Sequence, residues 1–419
     1  MSMSLRDLAL KVLRVLRKHG HQALWAGGCV RDQLLGLPPH DYDVATDARP
    51  DVVRQLFPRT LAVGAQFGVI EVLGPGKNHV QVATFRSDGT YSDGRHPDQV
   101  RFGTPEADAQ RRDFTINGLF FDPLAEEVID YVGGQADLAS RILRAIGDPW
   151  ARFQEDHLRL LRAVRFTARF DLALDLTTKA ALEALAPQIL TVSPERIADE
   201  LRKMLMSPAR TRAVRLLLHL GLLPHLLGDV AVGVDEKAAL ATLQALPEAT
   251  SFAVALAALL VDTTSAATQE TLREVGRGSP LHGFAQHLRL SNLERDQLEW
   301  LLGHLPDFAA APHWPASRLK PLLAHPWAEE LLVLSAAWEA ARGRPPAAAP
   351  YARTMQAVWG TAVDPPPLVT GEDLKALGLE PGPRFKKLLE AVRTEQLDGR
   401  LDSPTAALAW IKAQLEADG

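Results

Sequence analysis

The chain has 419 residues, 47% hydrophobic and 23% charged, a composition typical of a globular protein with a sizeable apolar core. Its one cysteine, Cys29, excludes an intramolecular disulfide framework and a cysteine-based zinc site, and it suits a protein of the reducing cytoplasm. The net charge of −5 means that a nucleic-acid partner would have to bind a local basic stripe. The longest apolar run, residues 252–261, is too short to span a bilayer.

The first 140 residues mix helical and strand patterns. Apolar residues at helical spacing predict a helix over residues 4–18, and "HQALWAGG" then predicts a strand that runs into glycines. The next segment, "CVRDQLLG", predicts a helix that ends at Gly36. Residues with high β-propensity, bounded by glycines, predict strands in "DYDVAT", "LAVGAQFGVIEVLG" and "HVQVATFR".

Beyond about residue 140 the strand patterns almost disappear, and Leu- and Ala-rich helical stretches continue to the C-terminus. A Pro- and Ala-rich stretch, residues 343–367, predicts a linker before a last helical unit. The sequence therefore predicts a small α/β head followed by a long all-α arm, and its length favours two to four domains.

Two aspartates stand two residues apart in the stretch "PPHDYDVATDA". If the segment is a strand, Asp41 and Asp43 share one face while Tyr42 and Val44 point to the other. Carboxylates this close repel each other unless a cation lies between them, and Mg²⁺ bound by carboxylates and substrate phosphates is a recurring arrangement. The alternative for this motif alone is a solvated turn.

Two further segments indicate phosphate binding. The double glycine of "WAGGCVRD" lies between a strand and a helix, where backbone N–H groups and Arg31 could contact a phosphate. In "RRDFTINGLFFD", Arg111 and Arg112 precede Asp113 and an apolar run of helical character, so Asp113 is expected to cap a helix. Cations are disfavoured at the start of a helix, so we expect an anionic partner for the two arginines.

The segment "QEDHLRLLRAVRFTARF", residues 154–170, predicts a helix with an arginine stripe. Its members are Arg159, Arg162, Arg165 and Arg169. The stripe is either a solvated face or an anion-binding one. Asp156 and Arg159 are three residues apart and would be neighbours on a helix, which allows a plain salt bridge.

The same pair also allows recognition of a nucleobase. Cytosine and adenine both present an exocyclic amine beside a ring-nitrogen acceptor, whereas uracil and guanine carry a carbonyl in place of that amine. A carboxylate that accepts from the amine and a guanidinium that donates to the ring nitrogen can therefore accept C and A and reject U and G.

Taken together, "GGCVRD", "DYDVAT", "RRDFTING" and "EDHLRLLRAVRF" resemble the class II tRNA nucleotidyltransferases, the bacterial CCA-adding enzymes and their poly(A) polymerase relatives. The resemblance continues at residues 193–205 and 371–401. It implies an α/β head of the polymerase-β type followed by an all-α neck, body and tail. The implied bounds are 1–140 for the head, 141–205 for the neck, 206–342 for the body, and 343–419 for the linker and tail.

The resemblance also implies site residues and ligands. It makes Asp41 and Asp43 the catalytic Mg²⁺ ligands, and it makes Asp156 and Arg159 the pair that reads the incoming base. It further implies nucleotide contacts, mainly to phosphates, from Gly28, Arg31, Arg112, Arg162 and Arg165, with Asp113 in the same pocket. The implied partners are ATP, CTP and the 3′ end of tRNA.

Two features bear on how far the resemblance extends. Relatives often carry a further acid where this chain has the neutral Gln81, and Glu71 on the neighbouring predicted strand is not an obvious replacement. Residues 85–103 resemble a flexible loop that favours an enzyme able to add the terminal A.

Three activities share these motifs: full CCA addition, addition of the terminal A alone, and poly(A) synthesis. Polyadenylating relatives tend to be more basic where this chain has "GAQFGVIEV", which favours a tRNA substrate. A catalytically inactive RNA-binding relative would have lost one of the two aspartates, and both are present.

A candidate tRNA-binding stripe lies in the last unit, in "RFKKLLEAVRTEQLDGR". Its members are Arg384, Lys386, Lys387 and Arg393. They are expected either to contact backbone phosphates or to belong to an ordinary solvated helix.

Overall fold

The computed structural model describes residues 3–64, 68–76, 78–89, 100–228, 235–261 and 279–417. The chain divides into two compact units, Met1–Gly228 and Asp229–Gly419. The four-part division expected from the sequence stays a prediction.

Strands of the first unit are concentrated before residue 131. They are β1 (Ala23–Ala26), β2 (Asp43–Thr46), β3 (Thr60–Gly64), β4 (Val69–Leu73), β5 (His79–Thr84), β6 (Arg86–Asp88), β7 (Val100–Phe102), β8 (Leu119–Asp122) and β9 (Glu127–Asp130). Among the described residues they form a seven-stranded sheet in the order β3-β4-β5-β2-β1-β8-β9, and β6 pairs separately with β7. Strands β2 and β5 are parallel, while β2 is antiparallel to β1. This mixed sheet confirms the predicted α/β head.

Helices of the first unit cover the sheet and then continue beyond it. They are α1 (Leu5–Lys18), α2 (Gly28–Leu34), α3 (Pro50–Leu56), α4 (Pro105–Gln110), α5 (Gly134–Ala139), α6 (Pro149–Glu155), α7 (Leu158–Arg169), α8 (Leu176–Leu185), α9 (Pro194–Leu205), α10 (Arg210–His219) and α11 (Leu223–Leu227). After residue 140 the described part of this unit has just two short strands, β10 (Ile142–Leu143) and β11 (Ala173–Leu174). The loss of strands that the sequence predicts is confirmed.

Helix α1 follows from its sequence in a simple way. The Ser4 hydroxyl accepts a hydrogen bond from the Asp7 N–H at 3.1 Å, which satisfies one of the free donors at the helix start. Its apolar side is buried against the sheet, with Val12, Leu13 and Leu16 at most 1% exposed. Burial of each such side chain contributes about 1.5–3 kcal/mol to folding.

The prediction of a helix after Asp113 is wrong. Helix α4 ends at Gln110, a single 3-10 turn spans Thr115–Asn117, and the apolar residues that follow form strand β8. In β8 Phe120 pairs with Ala26 of β1 and is fully buried. Pairing with β1 therefore favours a strand over a helix in this segment, because aromatic residues fit a buried strand well.

The prediction of a single helix over residues 154–170 is also wrong. The backbone is extended at Asp156, with φ −155° and ψ 103°, and this residue separates α6 from α7. The N–H of Leu158 donates to a carboxylate oxygen of Asp156 at 3.0 Å, so Asp156 contributes to the start of α7. Asp156 and Arg159 are therefore not neighbours on the face of one helix.

The second unit is helical throughout its described part. Its α-helices are Glu236–Ala245, Phe252–Leu260, Pro280–His287, Asn292–Phe308, Ala316–Leu323, Ala328–Ala341, Ala348–Trp359, Gly371–Ala376, Pro383–Leu397 and Pro404–Ala417. Helix Phe252–Leu260 is buried along its whole length and lies in the core of this unit. The expected linker 343–367 is not merely a linker, because it contains the helix Ala348–Trp359. In the described ranges, no helix is both long enough and apolar enough to cross a bilayer.

Candidate active site

A cleft of about 630 Å³ in the first unit collects the residues that the sequence predicts for catalysis and nucleotide binding. All ten line it: Gly28, Arg31, Asp41, Asp43, Arg112, Asp113, Asp156, Arg159, Arg162 and Arg165. Within the described residues the lining includes nine arginines and five aspartates, so the cleft is strongly cationic. Their roles in binding and catalysis stay predictions.

The two aspartates of the DxD motif lie at the start of β2. Strand β2 begins at Asp43, so Asp41 lies just before the strand. Their neighbour Tyr42 packs edge-on against Trp25, with ring centroids 4.8 Å apart, while both aspartates line the cleft. The alternation of side chains expected for a strand therefore holds across the motif, although one of its residues is outside the strand.

Neither carboxylate of this pair forms an ion pair with a basic side chain in the part of the chain that the structure describes. Burial, together with the charge of Asp41, raises the pKa of Asp43 to about 6, and Arg112 acts against this rise. Asp43 therefore carries an unfavourable charge at neutral pH that a bound cation would stabilise. Burial, with the Asp43 carboxylate nearby, also raises the pKa of the Cys29 thiol to about 12, so this thiol stays protonated.

The donor set fits a hard divalent cation. Among the residues described, no group of three or more His, Cys, Asp or Glu side chains is placed to hold a metal ion. Two carboxylates leave positions for phosphate oxygens and water, which is how Mg²⁺ is usually bound. Gln81 lies on β5, the strand that runs parallel to β2. It directly precedes Val82, which pairs with Val44 of β2, and its side chain is exposed.

The two glycines at the start of α2 bring the backbone close to the arginines. Gly27 has a φ of +69°, and a Cβ at this position would lie 2.7 Å from Nη1 of Arg112. The positive φ of Gly27 favours glycine, and a side chain there would also have to displace the end of the Arg112 side chain. A Cβ at Gly28 would lie 3.8 Å from Oδ1 of Asp41, so this glycine opens directly beside the carboxylate pair.

The double arginine has the anionic partner that we expected, but at the end of a helix. Arg111 and Arg112 follow α4, and their side chains bind the two oxygens of Asp108 at 2.7 and 2.8 Å. Although burial alone would raise the pKa of Asp108, the two guanidinium groups hold it below its usual value. The expected helix start at Asp113 is replaced by a helix end, where cations are favourable.

Asp113 lies at the centre of a buried network. One of its oxygens accepts from the side-chain amide of Asn117 at 3.0 Å and from the N–H of Phe114 at 2.8 Å. The other accepts from Arg162 at 2.6 and 2.8 Å. Burial acts to raise the pKa of Asp113, but Arg162, Asn117 and Arg159 together lower it to about 2. Asn117 also accepts from Arg31 through its side-chain oxygen, so it links arginines of different elements.

The two residues expected to read the base are held by other partners. Asp156 forms a two-pronged ion pair with Arg196 of α9, at 2.7 and 3.1 Å. Arg159 is 8% exposed and binds the carboxylate of Glu155 and the carbonyl oxygen of Arg152. The plain salt bridge between Asp156 and Arg159, the alternative expected from their spacing, is not the partnership that forms.

The remaining arginines of α7 are paired with acids that are distant in the sequence. Arg165 binds Glu200 of α9 at 2.6 Å, and Arg169 lies 3.7 Å from Asp32 of α2. Arg31, on α2, also binds Asp32, and its guanidinium stacks over the ring of Phe170 with 4.3 Å to the centroid. The arginine stripe is therefore not a solvated face, because it packs between acids of several elements.

Several residues of this network were not predicted from the sequence: Asp108, Asn117, Glu155, Arg196 and Glu200. Asn117 belongs to the motif "RRDFTING", and its amide could have been recognised as a polar group inside an apolar run. Arg196 and Glu200 are four residues apart in "SPERIADELRKML", which places them on one face of α9. This spacing could have indicated that Arg196 and Glu200 act together, whereas their ion-pair partners on other elements could not be predicted from local sequence.

The candidate tRNA-binding stripe lies in the second unit, on helix Pro383–Leu397. Lys386 and Lys387 are exposed. Arg393 instead donates to the carboxylate of Asp364 at 2.8 Å and to the carbonyl oxygen of Pro365 at 2.6 Å. Of the loop expected over residues 85–103, residues 90–99 lie outside the described part of the chain.

Comparison with known proteins gives two family matches. Residues 23–144 match the poly(A) polymerase head domain, and residues 171–232 match a segment described as a probable RNA and SrmB-binding site of polymerase A.

The chain also resembles individual curated proteins. It is 42% identical over 221 residues to a CCA-adding enzyme of Geobacillus thermodenitrificans, a match that covers 52% of this chain and 54% of the relative. It is 38% identical over 242 residues to poly(A) polymerase I of Haemophilus influenzae, covering 55% and 53%. The first of these matches thus spans about half the length of the relative.

Two similarities extend over nearly the whole chain. A CCA-adding enzyme of Levilactobacillus brevis is 30% identical over 410 residues, with 96% of both chains covered. The crystal structure of the Bacillus stearothermophilus CCA-adding enzyme in complex with CTP matches with a TM-score of 0.77 and 29% identity, over 98% of this chain and 97% of that one. The chain therefore belongs to the family of class II CCA-adding enzymes and bacterial poly(A) polymerases, which are metal-dependent nucleotidyltransferases.

Proposed function

We propose that the protein adds nucleotides to the 3′ end of tRNA, either the full CCA sequence or its terminal A, from CTP and ATP with Mg²⁺. One observation carries the proposal: a carboxylate pair without a cationic partner among the described residues shares a cleft with nine arginines. The names of the similar proteins and the CTP complex of the Bacillus stearothermophilus enzyme support it.

The chemistry is a phosphoryl transfer. The 3′ hydroxyl of the RNA attacks the α-phosphorus of the nucleoside triphosphate, a new P–O bond forms, and pyrophosphate leaves with the electrons of the broken bond. Asp41 and Asp43 would hold Mg²⁺, which, when bound, supplies positive charge to the attacking and leaving oxygens. Both acids need to be ionised for this role, and the Asp43 pKa of about 6 permits that at neutral pH.

Arg162 and Arg165 keep donors for the triphosphate even though both have an acid partner. Arg162 uses Nε and Nη2 on Asp113, and Arg165 uses Nε on Glu200. A guanidinium has five N–H donors, so each retains at least two for phosphate oxygens. Their acids fix the guanidinium groups before the nucleotide arrives, which lowers the ordering cost of binding.

Base selection is assigned to Asp156 and Arg159 on the same reasoning. Oδ1 of Asp156 accepts from Arg196 and from the N–H of Leu158, whereas Oδ2 accepts from Arg196 alone and keeps a lone pair for an exocyclic amine. Arg159 uses Nη1 for Glu155 and the Arg152 carbonyl oxygen, which leaves other donors for a ring nitrogen. The pair would accept C and A, and a wrong base would cost about 1–3 kcal/mol because a carbonyl would meet the carboxylate.

Two other outcomes belong to the same test. Poly(A) synthesis is the second candidate, and the match to poly(A) polymerase I of Haemophilus influenzae favours testing it. An inactive RNA-binding relative is disfavoured because Asp41 and Asp43 both line the cleft. A chain with one cysteine cannot form an intramolecular disulfide framework, which agrees with a location in the cytoplasm, and we also propose that location.

The deciding experiment incubates the purified protein with tRNA transcripts that end before, within or after the CC sequence, offering one nucleotide at a time with Mg²⁺. Full CCA addition predicts CTP use on the first two transcripts and ATP use on the third. Addition of A alone predicts ATP use on the third transcript only, and poly(A) synthesis predicts long A tails on any RNA. If no transcript incorporates any nucleotide, the proposed function is overturned.

A further inference from the structure

The second unit contains a cleft to which the proposed function gives no role. It has a volume of about 460 Å³, within the range of small-ligand sites. Helix Asn292–Phe308 and the segment from Trp314 to His325 line it together. The lining residues that matter here are Trp300, His304, Asp307, Trp314, Arg318 and His325.

One wall is a set of stacked rings. The ring of His325 lies nearly parallel to Trp300, with centroids 4.2 Å apart and 11° between the planes. The ring of His304 lies 4.6 Å from that of Trp300 and is tilted by 34° to it. His304 is exposed and one helical turn from Trp300, so it extends this row of rings toward solvent.

The other wall presents a cation on a ring. The guanidinium of Arg318 lies 3.8 Å from the ring centroid of Trp314, and Trp314 packs edge-on against the buried Phe308. Asp307 is 3.2 Å from Arg318, but the two side chains are 66% and 52% exposed. This exposed ion pair contributes little, so Arg318 can exchange it for another anion.

These two walls select for a ligand that is both flat and anionic. Arg and aromatic planes are the surfaces on which unpaired bases stack, and Arg also binds phosphate. A quaternary ammonium ligand, which aromatic cages bind, would be repelled by Arg318. An aliphatic ligand would leave the charged rim without partners.

We infer that this cleft of the second unit binds an unpaired nucleotide of the RNA substrate, with the base stacked between the His304 and Trp314 sides and a phosphate on Arg318. The inference rests on the proposed function for the identity of the RNA as tRNA. It gives the second unit a role in recognition of single-stranded RNA, separate from the nucleotide cleft of the first unit.

The test measures equilibrium binding of a labelled tRNA transcript and of a blunt RNA duplex without unpaired bases, using the full chain at one fixed salt concentration. The variants are Arg318→Ala, His304→Ala and Trp314→Leu. Arg353→Ala is the matched control, because Arg353 is a similarly exposed arginine of the same unit that also pairs with an acid, Glu329. Melting curves verify folding, and Arg318→Ala, at an exposed site, keeps the test valid if Trp314→Leu unfolds.

We expect Arg318→Ala and Trp314→Leu to raise the tRNA Kd by about fivefold or more, with duplex binding and the Arg353→Ala variant unchanged. Unchanged tRNA binding in Arg318→Ala would overturn the inference. An equal loss for duplex would also overturn it, because the cleft would then contact the backbone alone, and an equal loss in Arg353→Ala would reduce the effect to net charge. Nucleotide addition by the wild type is assayed in parallel: its absence contradicts the proposed function, whereas the binding result decides this inference.

Discussion

The two sides of the cleft in the first unit treat their acidic side chains in opposite ways. On one side Asp41 and Asp43 stand beside each other without an ion-pair partner among the described residues, and the pKa of Asp43 is raised. On the other side Asp113 and Asp156 are each bound by an arginine. The difference separates two uses of a carboxylate. Two neighbouring carboxylates without an ion-pair partner can bind a cation from solution, whereas a carboxylate in an ion pair fixes the orientation of a guanidinium.

The largest effect is expected where the acids are unpaired. Asp41→Ala or Asp43→Ala should reduce nucleotide addition by more than about 100-fold, since loss of residues that merely support a metal ligand already costs 10–100-fold. Folding should be retained, and the metal-free protein should melt at the same or a higher temperature because an unfavourable charge is removed. Single-turnover assays with melting curves measure both quantities.

Asp47→Ala is the matched control for this prediction. Asp47 belongs to the same segment and pairs with His21 instead of lining the cleft. Near-normal activity in Asp41→Ala, or an equal loss in Asp47→Ala, would contradict a metal role for the pair.

A change in selectivity is expected where an acid is paired. Asp156→Ala should raise UTP and GTP use relative to CTP and ATP use by about 5- to 150-fold, because the carboxylate that repels a base carbonyl is gone. The measurement is kcat/KM for all four nucleotides on tRNA ending at each step. Asp199→Ala is the control, an exposed aspartate of the same unit that pairs with Arg202.

Two results of that experiment would contradict base reading by Asp156. A common loss for all four nucleotides would indicate a phosphate-side role. Unchanged ratios would leave selectivity to other groups. Arg196→Ala should shift the ratios in the same direction but less, since it frees Asp156 without removing it.

The acid network also predicts a pH dependence of stability. The folded-state pKa of Asp113 is depressed to about 2 from 3.8, so its ion pair stabilises the fold above pH 3.8 and this contribution is lost as pH falls toward 2. Asp113→Asn should therefore lower stability by roughly 2 kcal/mol at pH 7. The melting-temperature gap to wild type should stay constant above pH 5 and narrow below pH 4. A gap that is independent of pH would contradict the charged role of Asp113.

The smallest effect is expected on the surface of the second unit. Lys386→Ala with Lys387→Ala should weaken tRNA binding by a few-fold and lower its salt dependence, because exposed lysines contribute to phosphate contacts. Lys375→Ala is the control, an exposed lysine that pairs with Glu372. An unchanged Kd and salt slope would remove this helix from the tRNA surface.

The sequence predicted the elements of this fold that depend on local patterns. Helix α1 and strand β2 follow from periodicity and β-propensity, and the residues of the cleft follow from short motifs. The strand at Phe120 could not be read locally, because its conformation depends on pairing with Ala26, more than ninety residues earlier.

The ion-pair partners in the cleft were hidden for the same reason. Asp113 and Arg162 are 49 residues apart, and Asp156 and Arg196 are 40 apart. Such pairs depend on how α7 and α9 pack in the first unit, which no local pattern specifies. The residue types of the site were therefore predictable, whereas their partnerships were not.

The contrast between unpaired and paired acids is tested most directly by cation binding. We would titrate the full chain with Mn²⁺ in the absence of nucleotide and follow free Mn²⁺ by electron paramagnetic resonance, comparing wild type with Asp43→Asn and Asp156→Asn. We expect Asp43→Asn to lose most of the Mn²⁺ affinity and Asp156→Asn to bind Mn²⁺ like wild type. Retained affinity in Asp43→Asn, or an equal loss in Asp156→Asn, would contradict this expectation.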